Sequence, residues 1–314
     1  MTGYVLRRLL LAVPTLLLAS AVVFALVRLI PGDPVQLMYG DSGTAEQMAD
    51  ARRALGLDQP VPAQYALWLG RVVRGDLGRA ITDGQPVLPL IWERFGVTAP
   101  VVLAAVAIAA VLGVAAGTFA AWRQGSGWDL AVVGATTVIL AVPTFWLGLL
   151  LLLLFGLKLG WLPVVGYVPF AEDPRRAVLF LLLPVATLAL HESGVIARMA
   201  RASAVEVLRL DYVTHARAKG LGEGAVLARH VLPNAFAPTW TLVGLVLGNL
   251  LGGIAVIETV FALPGLGRLL VDAVFARDYP VVQGCLLFTA AVYVGVNLLV
   301  DLLYPLFDPR VAAG

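Results

Sequence analysis

The sequence predicts an all-α, polytopic membrane protein with six transmembrane helices. Hydrophobic residues make up 60% of the 314 residues and charged residues only 13%, whereas soluble domains contain roughly 45–50% apolar and about 25% charged residues. One soluble core could not bury this much apolar surface, so the excess must face lipid. The net charge of +2 is too small to suggest a nucleic-acid partner.

Six segments are long and apolar enough to cross a hydrocarbon core of roughly 30 Å, which takes about 20 helical residues. They are residues 9–30, 98–121, 130–155, 177–197, 239–261 and 281–300. Backbone polar groups must be satisfied within each segment, so these runs are predicted to be helices, whereas barrel strands would be short and alternating.

The first segment begins like a signal peptide, because Arg7 and Arg8 precede an apolar stretch. That stretch is long, however, and the residues Arg28 to Pro31 form no small-residue cleavage site. We therefore expect a retained helix.

The distribution of basic residues predicts that both termini lie in the cytoplasm. With the N-terminus inside, ten basic residues flank inner helix ends and six flank outer ends, because the interior of the long loop 31–97 counts little in this rule. The inner ten are Arg7, Arg8, Arg123, Arg198, Arg201, Arg209, Arg217, Lys219, Arg229 and Arg310.

Two regions outside the membrane follow from this topology. The external insertion, residues 31–97, opens with a turn signal at Pro31 to Pro34 and has helical patterns over 46–55 and 63–73. The cytoplasmic segment, residues 198–238, is basic and amphipathic.

Several chemical activities lack their motifs. The two lysines, Lys158 and Lys219, do not follow a glycine, so we expect no phosphate-binding loop, no ATP site and no cofactor in this chain. His191 and Glu192 begin like the zinc motif H-E-x-x-H, but Val195 occupies the second ligand position. We therefore expect no metal site and no membrane hydrolase. Cys285 is the single cysteine, which excludes an internal disulfide.

Two features inside the predicted spans have more than one interpretation. His191 and Glu192 either line a transport path or make a helix contact near a wetter helix end. Glycines recur every four residues at Gly244, Gly248 and Gly252, and again at Gly113 and Gly117. This spacing predicts close helix packing, within the bundle or at a subunit interface.

The cytoplasmic segment contains a predicted helix-turn-helix suited to docking another protein. Residues 211–219 form its first helix, which Gly220 ends through a left-handed turn. A second helix over 224–231 follows, and Pro233 is expected to end the unit before the fifth span.

The same residues resemble a known family motif. Ala216 to Leu221, followed by His230 to Asn234, is similar to the cytoplasmic "EAA" loop of ABC-importer permeases, with Thr214-His215-Ala216 at the Glu-Ala-Ala position. Four further stretches resemble the B-type permeases of the oligopeptide, dipeptide and nickel branch: residues 4–34, 55–60, 258–268 and 277–284.

This resemblance implies a type I ABC importer permease fold in the inner membrane of a bacterial cell. It implies a second homologous permease, two ATPase subunits that hold ATP and magnesium, and an external substrate-binding protein. The implied ATPase-coupling residues are Asp211, Tyr212, His215, Ala216, Arg217, Ala218, Lys219, Gly220, Leu221, His230 and Pro233. The candidates for a path or gate are His191, Glu192, Asn249 and Glu258.

Some alternatives stay open at the level of sequence. A self-sufficient secondary transporter or channel would need neither an ATPase nor a second permease. Arg217 and Lys219 could form a solvated or lipid-facing surface, and residues 258–268 could be a turn-rich loop rather than a gate. The solute, whether a peptide, nickel, glutathione or another small molecule, is not readable from these residues.

Overall fold

The computed structural model describes residues 2–29, 44–54 and 58–306, and its regular elements there are helices. They are α1 (Thr2–Leu29), α2 (Ala45–Ala54), α3 (Val61–Val73), α4 (Val87–Trp122), α5 (Gly127–Ala141), α6 (Thr144–Leu151), α7 (Pro174–Leu208), α8 (Asp211–Ala218), α9 (Glu223–Val226), α10 (Leu232–Gly253), α11 (Ala255–Val260), α12 (Leu266–Ala276) and α13 (Tyr279–Leu303). The π-helical turns Leu152–Lys158 and Leu227–Val231 extend α6 and α9. The all-α prediction is confirmed.

The insertion between the first two long helices is partly described. Its helices α2 and α3 fall where the sequence predicts them, over 46–55 and 63–73. The predicted turn at Pro31 to Pro34 and part of the 55–60 stretch lie outside the described residues. Below, the end of the bundle near α3 and α12 is called the insertion end, and the end near α8 is called the coupling end.

Among the described residues, five helices are long and apolar enough to span a membrane, and a bent pair could supply a sixth span. The bent pair is α5 with α6 and its π-helical extension, which meet at 98°. The prediction of one continuous helix over 130–155 is therefore wrong. Pro143 explains the break, because proline disfavours helical geometry in the preceding residue, and Val142 is extended (φ −88°, ψ 125°).

The long helices α4 and α7 form the most extensive helix pair of the fold. Their axes approach closely because α4 presents Gly113 and Gly117 to α7. A Cβ atom at Gly113 would lie 2.8 Å from the Ile196 Cβ, and one at Gly117 would overlap the Ala197 carbonyl oxygen. The predicted role of these glycines in close packing is confirmed.

A second glycine-dependent contact joins α10 to α13. Gly244 packs against Val300, and a Cβ atom at Gly248 would lie 2.6 Å from the Tyr293 ring. Gly252 has more room, with its nearest neighbour at 3.8 Å. The outer helix α1 packs along α13, where Arg8 forms a 3.0 Å ion pair with Asp301.

The main hydrophobic core lies where α4, α7, α10 and α11 meet. Val101 and Val102 of α4 pack there with Leu188 of α7 and Ile254, and all four are nearly inaccessible to solvent. The core thus surrounds the α4–α7 pair and fixes its orientation relative to the last third of the chain.

Helices run through both predicted boundaries of the cytoplasmic segment 198–238, and the prediction that Pro233 ends the unit within it is wrong. Helix α7 continues eleven residues beyond the predicted span end at 197, to Leu208. At the other end, residues 223–253 form one helical run, so Pro233 does not end the unit. The π-helical turn Leu227–Val231 directly precedes α10, so Pro233 falls in the first turn of α10, where a missing N–H is tolerated.

The close α4–α7 contact predicts a strong difference between two glycine substitutions. Gly117→Ala should lower the free energy of unfolding by about 1–3 kcal/mol, because the added methyl group overpacks the helix interface. Thermal unfolding of the purified chain in detergent measures the change.

Gly134→Ala is the matched control. Gly134 also lies inside a helix, but a Cβ atom there would meet nothing within 4 Å. Its melting temperature should equal or slightly exceed that of the wild type, because alanine favours helix more than glycine. Equal destabilisation by both variants would contradict the close-packing account.

Candidate functional site: the coupling end of the bundle

Helix α8 is short and is ended by a glycine. It runs from Asp211 to Ala218, and Gly220 after it adopts left-handed geometry (φ +81°). The Gly220 N–H donates to the Arg217 carbonyl oxygen (2.9 Å), and the Leu221 N–H donates to that of Ala216 (3.3 Å). The predicted helix and its glycine turn are confirmed, with an end one residue earlier than expected.

One face of α8 sits in an apolar socket at the ends of the long helices. Val213 and Ala216, three residues apart, are buried there. The socket is formed by Ala121 of α4, Ala204 and Val207 of α7, Val226 of α9, Val231 of the π-helical turn and Ala235 of α10. Helix α8 thus contacts α7 directly and shares one apolar cluster with the ends of α4 and α10.

The opposite face of α8 is exposed. Leu210 and Tyr212 are 44% and 40% exposed, and they lie beside the exposed residues Asp211, His215 and Lys219. A mixed apolar and charged surface of this kind suits contact with another protein more than contact with hydrocarbon.

A polar network joins the end of α8 to α9 and α4. The Arg217 guanidinium forms a two-point contact with Glu223, with Nε–Oε1 at 2.8 Å and Nη2–Oε2 at 3.2 Å. The Trp122 indole N–H, at the end of α4, also donates to Glu223 Oε2 (3.2 Å). Arg217 is thus engaged within the chain, and sequence analysis did not identify Glu223 or Trp122.

The remaining coupling candidates lie around the same turn. Ala218 is exposed at the end of α8, and Leu221 packs partly against the socket. His230 is half-buried in the π-helical turn, and its carbonyl oxygen accepts a hydrogen bond from the Asn234 side chain (2.8 Å). Pro233 is exposed on the first turn of α10.

An ion pair that sequence analysis missed ties α5 to α7 near the coupling end. The Arg201 guanidinium donates two hydrogen bonds to the buried Asp129 carboxylate, with Nε–Oδ1 at 2.6 Å and Nη2–Oδ2 at 2.8 Å. The Gly125 N–H donates to the same carboxylate (2.9 Å). Residues so far apart in the chain carry no local sequence signal of their pairing.

The path candidates lie apart from the coupling end. His191 and Glu192 are half-buried in the middle of α7, and among the described residues His191 Nδ1 has no hydrogen-bond partner. Asn249 is exposed on α10. Placing these polar side chains in hydrocarbon would cost free energy, so we expect each to have a protein or water neighbour.

Glu258, the fourth path candidate, is completely buried and lines no opening in this conformation. Its carboxylate accepts hydrogen bonds from the Thr98 hydroxyl (2.6 Å) and from the Arg268 N–H (2.8 Å). Its carbonyl oxygen accepts from the Leu263 N–H (2.8 Å). Glu258 therefore holds the loop that follows α11 in place.

A second buried carboxylate, Asp278, anchors the insertion. It accepts hydrogen bonds from the N–H groups of Ile81 and Thr82 and from the Thr82 hydroxyl, at 2.8 Å, 3.1 Å and 3.0 Å. Asp278 also caps the start of α13. Residues 81–82 of the insertion are thus fixed to the last helix.

The fold and its coupling end define the class of the protein: a multi-pass membrane protein with a short amphipathic helix seated on the ends of its long helices. Family models agree with this class and make it specific. Residues 113–313 match the model described as "Binding-protein-dependent transport system inner membrane component". Residues 1–104 match the N-terminal model of the same membrane component.

Individual relatives are similar along their full length. A putative peptide transport system permease protein from Brucella suis biovar 1 (strain 1330) is 43% identical over 311 residues, 99% of each chain. A glutathione transport system permease protein from Pectobacterium atrosepticum is 42% identical over 316 residues, again 99% of each chain. A solved structure of an amino acid ABC transporter overlaps 71% of this chain and 94% of its own, with a TM-score of 0.47 and 21% identity.

This chain belongs to the family of binding-protein-dependent ABC-importer permeases. The expected family is thereby confirmed, and with it the permease function. Members of this family work with ATPase and substrate-binding partners.

The Arg217–Glu223 contact predicts a charge-reversal rescue. Arg217→Glu or Glu223→Arg alone should shift the end of α8 by placing like charges at a 2.8 Å contact, whereas the double variant restores opposite charges. The effect should weaken at high salt, because both side chains are partly exposed. Cysteine accessibility at Lys219 reports the position of the turn. No recovery in the double variant would contradict a structural role for the pair.

Proposed function

We propose that this permease forms half of an ATP-driven import path for short peptides or similar small solutes. The carrying observation is the seating of α8 on the ends of α4, α7 and α10. This geometry links one short helix to the ends of three long ones through a shared apolar cluster.

Relatives support the choice of substrate class. The Brucella relative is named for peptide transport, and the Pectobacterium relative for transport of glutathione, which is itself a small peptide. Both resemble this chain over its whole length, so a short peptide is the substrate class that we propose.

We assign the energy source to partner subunits. Two ATPases, holding ATP and magnesium, would dock on the exposed face of α8, because neither lysine of this chain follows a glycine as a phosphate-binding loop requires. A second homologous permease would complete the path, and an external binding protein would deliver the solute at the insertion end.

The proposed orientation follows from the basic residues. The coupling end faces the cytoplasm of a bacterial cell, both termini lie on that side of the inner membrane, and the insertion is external. The proposed contact residues for the ATPases are Asp211, Tyr212, His215, Ala218 and Lys219. Ala216, Arg217, Gly220, Leu221, His230 and Pro233 would shape the turn beneath them.

We propose that His191, Glu192 and Asn249 face the path or its second permease. Each is polar, and within this chain His191 and Glu192 are half-buried while Asn249 is exposed. A polar group in a span needs water or protein beside it. The path alternates between its two openings when ATP binding and solute delivery favour different states of one bistable bundle.

The direct test is reconstitution of the importer. The chain, its second permease, the ATPases and the loaded binding protein are placed in vesicles, and uptake of a labelled peptide is measured. We expect uptake only with ATP and all components present. Uptake by this chain alone, driven by an ion gradient without ATPases, would overturn the proposal.

Substitution of Gly220 tests the coupling role separately. Gly220→Val should reduce uptake at least about tenfold while ATP hydrolysis persists, because left-handed geometry costs a residue with a Cβ atom about 1–2 kcal/mol and more for a β-branched one. A Cβ atom meets nothing within 4 Å here, so the effect is one of backbone geometry. Gly220→Asn is the control and should retain most uptake. Normal uptake in Gly220→Val would remove the coupling assignment.

A further inference from the structure

We propose that Thr98 is a positioning residue that joins α4 to the loop of residues 258–268 at the insertion end. Through this joint, a movement of the coupling end would reach the external face of the importer. The inference rests on the function proposed above and adds to it a specific mechanical connection.

The Thr98 hydroxyl is fully used in a tertiary contact. It donates to Glu258 Oε1 (2.6 Å) and accepts from the Leu266 N–H (2.8 Å), and the side chain is 1% exposed. A threonine inside a helix usually bonds the carbonyl oxygen one turn earlier. Here that oxygen, of Arg94, is 3.4 Å away. The short hydrogen bonds of the hydroxyl therefore join it to the loop, and its contact within its own helix is the longest of the three.

The loop itself is built as one rigid piece around Glu258. Arg268 and Leu263 bind Glu258 through their backbone N–H groups. Gly265 has no room for a Cβ atom because the Glu258 carboxylate fills that space, and one at Gly267 would lie 2.7 Å from the Ala255 Cα. A displacement of Glu258 would thus carry the whole loop with it.

In the described part of the chain, α4 makes its polar contacts with this loop through two residues. Besides Thr98, the Arg94 Nη1 group lies 3.5 Å from the Pro264 carbonyl oxygen, at the limit of a hydrogen bond. Arg94 Nε is buried without a partner. Thr98 therefore supplies the short, well-formed contacts of this joint.

Helix α4 continues without a break from this joint to the coupling end. Thr98 and Trp122 are 24 residues apart, which corresponds to about 36 Å along the helix. Ala121 lies in the socket beneath α8, and Trp122 binds Glu223. The glycine-dependent contact with α7 keeps α4 aligned along this length. One helix thus connects the proposed ATPase-docking surface to the Glu258 loop.

Variants of Thr98 in the reconstituted importer test the joint. Thr98→Val keeps the side-chain shape and removes the hydroxyl, and Thr98→Ser keeps the hydroxyl. We expect Thr98→Val to lower peptide uptake about tenfold while basal ATP hydrolysis persists, and Thr98→Ser to stay within about twofold of the wild type. Wild-type uptake in Thr98→Val would overturn the proposal.

Thr187→Val is the matched control. Thr187 is also a fully buried threonine of a long helix, but its hydroxyl donates to the Leu183 carbonyl oxygen of the same helix (2.8 Å). Its uptake should remain near that of the wild type. An equal loss of peptide uptake in Thr187→Val and Thr98→Val would mean that removing any buried hydroxyl has this effect. That result would overturn the proposed role of Thr98.

A distance measurement tests the joint without relying on transport. In a Cys285→Ser background, spin labels are placed on cysteines at the exposed residues Glu93 of α4 and Phe275 of α12. Thr98→Val should broaden the distance distribution between them, and Thr98→Ser should not. An unchanged distribution in Thr98→Val would overturn the proposal, whereas absence of ATP-driven uptake in the wild type would overturn only the proposed function.

A double-mutant cycle covers the case in which Thr98→Val does not fold. Glu258→Gln alone should reduce uptake and broaden the same distribution, because it replaces one of the two acceptor oxygens of Glu258 with an NH2 donor. Thr98→Ala, which also removes the hydroxyl, should reduce uptake by itself. Thr98→Ala combined with Glu258→Gln should lose less than the sum of the two single losses, since both changes act on one contact. Independent, additive losses would contradict a shared joint.

Discussion

The fold depends on the close approach of α4 and α7. Gly113 and Gly117 remove the side chains that would otherwise separate these helices, and Ala197 and Ala200 supply small partners on the other side. Between apolar helices in lipid, the hydrophobic effect contributes little, so van der Waals contact of this kind is a main source of association. Every other long helix except α1 packs against this pair, and α8 rests on its end.

Polar contacts are concentrated at the two ends of the bundle. At the coupling end, Glu223 accepts hydrogen bonds from Arg217 and Trp122. At the insertion end, Glu258 and Asp278 each accept hydrogen bonds from more than one donor. Glu258 and Asp278 bind backbone N–H groups and hydroxyls that would be costly to leave unsatisfied where water is scarce. The bundle thus combines an apolar, closely packed middle with polar joints that fix its ends.

The sequence predicted the features that depend on local pattern. Apolar length identified the spans, glycine spacing identified the packed faces around Gly117 and Gly248, and Gly220 marked the end of α8. These succeed because each is encoded in residues that are neighbours in the chain. The family resemblance also rested on such local motifs, and the full-length relatives confirm it.

Other features could not be predicted because their partners are distant in sequence. No residue near Glu258 in the sequence indicates its partner Thr98, which lies 160 residues earlier, so the burial of Glu258 could not be predicted. The continuity through Pro233 was not predicted because proline commonly ends a helix, whereas here it falls in the first turn of α10. The 98° bend before Pro143 was missed because the run remains apolar on both sides of it.

The account requires α4 and α7 to move as one body during transport. The direct measurement is the distance between spin labels at the exposed residues Trp92 of α4 and Arg209 beyond α7, in the assembled importer, without nucleotide and with ATP trapped. The glycine-dependent packing predicts a change below about 2 Å, whereas slippage of one helix past the other by a turn would change it by about 5 Å. A change of that size would contradict the account.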